Sequence, residues 1–311
     1  EDIRPCIGCN ECLHTLTTNR PFTCAVNPLC GMEKDYELTP ASKPMDILII
    51  GGGPGGMMAA ITAAQRGLDV ELWEKDDKLG GALISAAAPD FKLAVKRLVN
   101  YLRVQMYKHN IKVCLEKEAT AEDILTRNPD AVILAAGSNP IIPNIEGLNA
   151  LNVVEANAMM KQGTCVGEKV VVLGGGLVGC ESALHLADCG KEVTIVELLD
   201  DLLLTVDHSL NNDMAIRRMI AESNINIVTG TRMTKADKNG VFVEKDGKTA
   251  FIPCDTLVAA VGYRSSREME DQLSGKIDLV FTIGDNVKPA KIIDAIAQGF
   301  HTIRLIEHLD N

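Results

Sequence analysis

The sequence predicts an α/β protein of two similar doubly wound units, the second inserted in the first, behind a cysteine-rich N-terminal segment. Three observations carry this. A β-strand, a glycine-rich turn and an apolar helix occur in succession twice, from Asp46 and again from Lys169. The copies share their spacing: Gly51 lies 23 residues before Glu74, and Gly174 lies 23 before Glu197. Four cysteines (Cys6, Cys9, Cys12 and Cys24) crowd the first 24 residues, while five others are scattered from Cys114 onward. The chain has 311 residues, 46% hydrophobic and 23% charged, enough for about two buried cores. A net charge of −11 suits a phosphate backbone poorly, and 4% aromatics leave few platforms for base stacking. Nucleic-acid binding is therefore not expected.

The elements follow from local pattern. The apolar run Asp46–Ile50 is a strand that enters Gly51-Gly-Gly-Pro-Gly-Gly56 and then a helix over about Met57–Arg66, which Gly67 stops. A strand at Asp69–Trp73, an amphipathic helix over about Asp90–Asn110, a strand at Lys112–Leu115, a short helix at Ala121–Thr126 and a buried strand at Ala131–Ala135 follow. The plan restarts with a strand at Lys169–Leu173, Gly174-Gly-Gly-Leu-Val-Gly179, a helix ending near Cys189 and a strand at Glu192–Val196. A helix at about Ser209–Ser223, three short strands between Arg232 and Ile252, and a buried strand at Thr256–Ala260 complete the second copy. The strand Leu279–Ile283 and a final helix, about Ile292–His308, read as completion of the first unit. The expected domains are 1–45, a metal-binding segment; 46–148 with 264–311, the first unit; and 149–263, the second.

Gly51-x-Gly53-x-x-Gly56 follows a strand, opens a helix and has an acid about 20 residues on. This is the context of a Rossmann-like dinucleotide-binding turn. Glycines permit the tight turn and close approach of a pyrophosphate, and the helix N-terminus offers free N–H groups. Glu74 would accept hydrogen bonds from ribose hydroxyls. Gly174-x-Gly176-x-x-Gly179 with Glu197 repeats the argument, with Leu177 and Val178 inside the turn. Glu197 repels a 2′-phosphate, and no Lys or Arg follows in Leu198–Asp201, so NADH is favoured over NADPH. The spacing Cys6-x2-Cys9-x2-Cys12-x11-Cys24 suits four thiolates on a 4Fe-4S cluster. A structural zinc and a Cys6–Cys9 redox disulfide are the alternatives. Two dinucleotide units downstream favour the electron carrier.

The order of these motifs, with Ala135-Ala-Gly137, Ala260-Val-Gly262 and Thr282-Ile-Gly-Asp285, resembles the two-dinucleotide flavoprotein disulfide reductase superfamily. The resemblance implies FAD in the first unit and a nicotinamide in the second. It implies cofactor contacts by Pro54, Gly55, Lys75, Gly80, Gly81, Ala136, Gly137, Gly262, Gly284 and Asp285. It also sets Glu181 near the reacting rings, as the one candidate catalytic residue; the plainer reading of Glu181 is an exposed first-turn acid favoured by the helix dipole. Hinges near Gly147 and Gly262 would let the units rotate.

The words Arg4-Pro-Cys-Ile-Gly-Cys-Asn10 and Cys24-Ala-Val-Asn-Pro28 are similar to those of the 2,4-dienoyl-CoA reductase, enoate reductase and trimethylamine dehydrogenase-like iron–sulfur flavoproteins. Those proteins place an FMN-binding barrel of old yellow enzyme type before the cysteines, and this sequence contains none. The resemblance implies the electron-input half of such an enzyme, with a barrel partner earlier in a longer chain. The alternative it carries is an ADP-binding structural module without hydride transfer; a glutamate-synthase-like small subunit is a third reading. Cys30 reads as a bystander. Cys114, Cys165, Cys180, Cys189 and Cys254 read as small buried hydrophobes, and Met57, Met58, Met159 and Met160 as core filler. The six histidines show no metal spacing. No apolar run approaches membrane length and no leader is apparent, so a cytoplasmic protein is expected; assembly as a homo-oligomer is left open.

Overall fold

The computed structural model describes residues 2–163, 165–204 and 209–308. They form two compact units. One takes the chain up to Ile84, Ala94–Asn139 and the part from Arg264; the other takes Ser85–Leu93 and Pro140–Tyr263. The sequence reading divides the chain at 148/149, whereas the second unit starts nearer 140. Ile145, Leu148 and Leu151 pack with Val171, Met233, Val243 and Leu257, so this stretch belongs to the second unit's core.

The first unit is a five-stranded parallel sheet in the order Leu279–Thr282, Ala131–Leu134, Asp46–Ile50, Asp69–Trp73, Lys112–Cys114. The central strand pairs Ile47 with Val70 on one side and with Ala131 on the other. Strands covered on both faces read as continuous apolar runs, which is why Asp46–Ile50 and Ala131–Leu134 are legible. The helix Pro54–Gln65 starts three residues earlier than expected, because proline's fixed φ suits the first helical position. The last helix, Ile292–Leu305, crosses it at Gly299, where a Cβ would fall 2.3 Å from the Gly55 carbonyl oxygen.

The second unit repeats the order: Asn152–Glu155, Thr256–Ala259, Lys169–Leu173, Glu192–Val196, Asn226–Val228, all parallel. A three-stranded antiparallel sheet, Arg232–Asp237, Gly240–Lys245 and Lys248–Pro253, packs with it. The edge strand comes late in the first unit and early in the second.

Several expectations are corrected. The helix expected from Asp90 begins as a 3-10 turn, Asp90–Lys92, before Leu93–Lys108. The cysteine-rich segment holds a helix, Glu11–Thr17, too short to show periodicity. Cys180 and Cys254 are buried as expected, but Cys114 is half-buried and Cys165 and Cys189 are exposed. Cys189 sits at the end of the helix Leu177–Asp188, where the chain turns at Gly190. Met57, Met58 and Met159 are buried, and Met160 is half-buried against the core that holds Met159. His208 lies outside the described residues.

The strands Asp69–Trp73 and Lys112–Cys114 of the first sheet are also tied by charge. The buried Glu71 carboxylate accepts hydrogen bonds from Trp73 Nε1 and Lys112 Nζ (both 2.9 Å), Cys114 Sγ (3.3 Å) and Arg127 Nε (3.2 Å). Burial alone would raise its pKa, but these donors more than offset it and hold it at about 2. The group is ionised above its unfolded value near 4.5 and stabilises the fold there by about 3 kcal/mol. Thermal melts should therefore fall as pH drops from 4.5 toward 2. Glu71→Gln should melt lower at neutral pH and lose much of that dependence; an unchanged profile would show that the network adds nothing.

Candidate functional site: twin glycine cradles and a cysteine segment

At the end of the strand Asp46–Ile50, Gly51 turns the chain with φ +105°. A Cβ there would lie 2.3 Å from the Ala135 carbonyl oxygen, and one on Gly56 would lie 1.9 Å from the Gly51 oxygen. Helix and strand thus meet at a distance only glycine allows. Gly53, the N-cap of the helix Pro54–Gln65, is different: a Cβ there meets nothing within 4 Å. The turn opens toward free space at that point, with the helix N–H groups behind it. Glu74 is 5% exposed and shapes the rim. Its Oε2 accepts from the Gly52 N–H (2.6 Å) and its Oε1 from the Asp76 N–H (2.8 Å). A carboxylate has about four lone-pair sites, so it can still receive two hydroxyls.

The second cradle reproduces the turn and the carboxylate's bonds, with Glu197 half-buried where Glu74 is buried. Gly174 has φ +109°, a Cβ on Gly179 would fall 1.9 Å from the Gly174 oxygen, and one on Gly176 meets nothing within 4 Å. Glu197 accepts from the Gly175 N–H (2.5 Å) and the Leu199 N–H (2.7 Å). Leu177 and Val178 stand half-buried at the first turn of the helix. Arg217, the first cation after Glu197 along the chain, is tied to Asp201 (3.0 Å) and Asp213 (2.6 Å).

Apart from Gly262, the other candidate cofactor contacts belong to the first unit. Gly80 donates to the Gly52 oxygen (2.8 Å), and a Cβ on Gly81 would lie 2.9 Å from Gly53 Cα. Lys75 is exposed beside Glu74. Ala136, before Gly137, donates its N–H to Asn286 Oδ1 (3.0 Å), and Gly284 donates to Gln298 Oε1 (2.6 Å). Asp285 is half-buried; burial pushes its carboxyl up, against the opposing hydrogen bond from Ala290 N–H (3.1 Å). The buried hydroxyl of Thr282, three residues earlier, lacks a partner, as does that of Ser182. Gly262 stays in the second unit, where its carbonyl accepts from Ile141.

Glu181 is not the exposed acid of the plainer reading. It is 8% exposed and ion-paired with Lys92, from the Ser85–Leu93 excursion. Sequence reasoning missed Lys92, Asn286, Gln298 and Gly299; none carries a local motif.

In the cysteine segment Cys6 is exposed, and Cys9, Cys12, Cys24 and Cys30 are half-buried. Burial pushes the Cys9 thiol up; the hydrogen bond from the Glu11 backbone works against this, and the charges of Glu11, Cys24 and Cys6 add to it. Burial also raises Cys30, aided by Cys24, Glu33 and Cys12. These sulfurs therefore lie within electrostatic reach of one another. Among the described residues, no three His, Cys, Asp or Glu side chains converge on a point that would suit one metal ion. A cube takes one thiolate per iron and does not ask for such convergence. The soft donor set and the free rim of each cradle fit an iron–sulfur cluster and two dinucleotides.

Residues 45–299 match the model of the pyridine nucleotide-disulphide oxidoreductase family, and the chain belongs to that family. It is an oxidoreductase module, and FAD and NADH are the cofactors this match supports. The chain is 36% identical to a cinnamate reductase of Clostridium sporogenes over 98% of its own length and 46% of that protein's. It is 38% identical to an NADH oxidase of Thermoanaerobacter brockii, over 96% and 47%. A solved 2-naphthoyl-CoA reductase superposes with a TM-score of 0.92 at 30% identity, covering 97% of this chain and 46% of that one. The chain thus spans about half the length of the relatives it matches, and the resemblance to the enoate-reductase lineage is borne out. Among the described residues, no helix is long and apolar enough to cross a membrane.

Proposed function

We propose that this chain is the electron-input module of an NADH-dependent iron–sulfur flavoenzyme. FAD occupies the first cradle, NADH the second, and a 4Fe-4S cluster is held by Cys6, Cys9, Cys12 and Cys24. FMN belongs to a barrel domain outside this chain, which reduces an enoate or enoyl-CoA-type double bond. The flavin supplies two-electron acceptance and single-electron release. The protein's own residues bind and orient. Gly53 and Gly176 leave room for a pyrophosphate against the helix N–H groups, and Glu74 and Glu197 receive ribose hydroxyls on lone pairs not used by the backbone. Asp285, with its carboxyl raised by burial, meets a polyol chain beside Gly284. Glu181, held by Lys92, lies in the helix Leu177–Asp188 that the second cradle opens. A reducing cytoplasm suits the free thiols.

The observation that carries this reading is the repetition of one cradle, donor for donor, in both units. Acid release tests it. Chain purified with no nucleotide added should release a yellow flavin together with four irons per chain; colourless ADP alone would favour a structural module. NADPH should bind on the order of tenfold or more weakly than NADH, since Glu197 meets the 2′-phosphate and Arg217 is already paired. Equal dissociation constants by calorimetry would refute that specificity.

A further inference from the structure

Glu11 stands between two of the cysteines, one residue before Cys12 and two after Cys9. It is 7% exposed, an unusual place for a carboxylate. Its partner is far along the chain: Lys291 Nζ donates to Glu11 Oε1 (3.0 Å) and Oε2 (3.1 Å), across 280 residues. The Glu11 backbone also hydrogen-bonds the Cys9 thiol. Lys291 is the N-cap of the final helix, and its backbone N–H is itself held by Asp294 Oδ2 (2.9 Å). The residue before it, Ala290, donates to Asp285. A short path of bonds therefore runs from the Cys9–Cys12 stretch through one ion pair to the turn bearing Gly284 and Asp285.

We propose that the Glu11–Lys291 ion pair is a positioning and charge-balancing clamp, which seats the cysteine segment on the flavin-side turn and sets the ease with which the bound cluster takes up an electron. This rests on the cluster reading above. Reduction adds one electron, and hence one negative charge, to the cluster, with no bond broken and no proton required. Glu11 alone opposes that charge, and Lys291 offsets it. Net charge and hydrogen bonds around the sulfurs are what set such potentials. The clamp is also mechanical. Without Lys291, the buried Glu11 carboxylate is left uncompensated, which loosens its hold on the segment.

The test uses the whole chain as wild type, Glu11→Gln, Lys291→Met, Lys291→Arg and the double variant Glu11→Gln/Lys291→Met. Iron-free protein under reducing conditions is treated with iodoacetamide, and alkylation of Cys9 and Cys12 is timed by mass spectrometry. Reconstituted protein is titrated with dithionite, and the cluster potential is read by electron paramagnetic resonance. Both Gln and Met single variants should alkylate on the order of tenfold faster. The cluster potential should move up in Glu11→Gln and down in Lys291→Met, and return toward wild type in the double variant. Lys291→Arg should restore both readouts. Unchanged alkylation in both single variants, or potentials that move in the same direction, would overturn the clamp. A wild type that takes up no iron on reconstitution would overturn the cluster reading, and the charge-balancing role with it. The alkylation rates then decide the mechanical role alone.

Discussion

An alanine at Gly176 should weaken NADH binding on the order of 10–100-fold while leaving the fold intact. Two facts separate these effects. The backbone at Gly176, with φ −72° and ψ −175°, is one that any residue adopts. The added methyl meets no protein atom within 4 Å, so its only consequence lies in the space in front of the helix N-terminus. A pyrophosphate drawn to those N–H groups needs that space. Gly179→Ala is the contrasting control: its methyl would sit 1.9 Å from the Gly174 oxygen, and it should unfold the second unit instead of merely emptying it. Calorimetry with NADH alongside thermal melts distinguishes the two. A Gly176→Ala protein that binds NADH as well as wild type would show that the cradle is not where the pyrophosphate sits.

Gly56→Ala should be the most damaging single methyl in the first unit. It faces the Gly51 oxygen at 1.9 Å, and Gly51 cannot retreat because the Ala135 carbonyl stands behind it. Neither obstacle is the end of a flexible side chain. Forcing helix and sheet apart costs about 3 kcal/mol or more, roughly 6–12 °C in melting temperature for a unit of this size. The strain extends to the far side of the same helix, where Gly299 approaches the Gly55 oxygen as closely as glycine permits. Flavin should be lost on purification. A variant that melts with wild type and keeps its yellow colour would refute this packing account.

These glycines were readable because everything that gives them meaning is nearby: a strand just before, a helix just after, an acid 23 residues on. The parallel strands were readable because burial on both faces leaves an unbroken apolar run. Distant pairings were not. Asn286 matters because it accepts from Ala136, 150 residues earlier, and neither residue type is unusual for a loop. Gly299 looks like a poor helix residue until the helix Pro54–Gln65 lies against it. Glu181 reads from the sequence as an exposed first-turn acid, but it lies past the first turn of the helix Leu177–Asp188, buried and paired with Lys92, from a stretch whose own pattern suggests ordinary amphipathic helix. The exposed Cys189 was misjudged because residue type, not its place at a helix end, guided the expectation.

The account stands most directly on an anaerobic titration of FAD-loaded chain with NADH. One equivalent of NADH per flavin should remove the yellow absorption, and Gly176→Ala should shift the titration to much higher NADH. A flavin spectrum that stays unchanged under saturating NADH would contradict the claim that the two cradles serve one transfer of electrons.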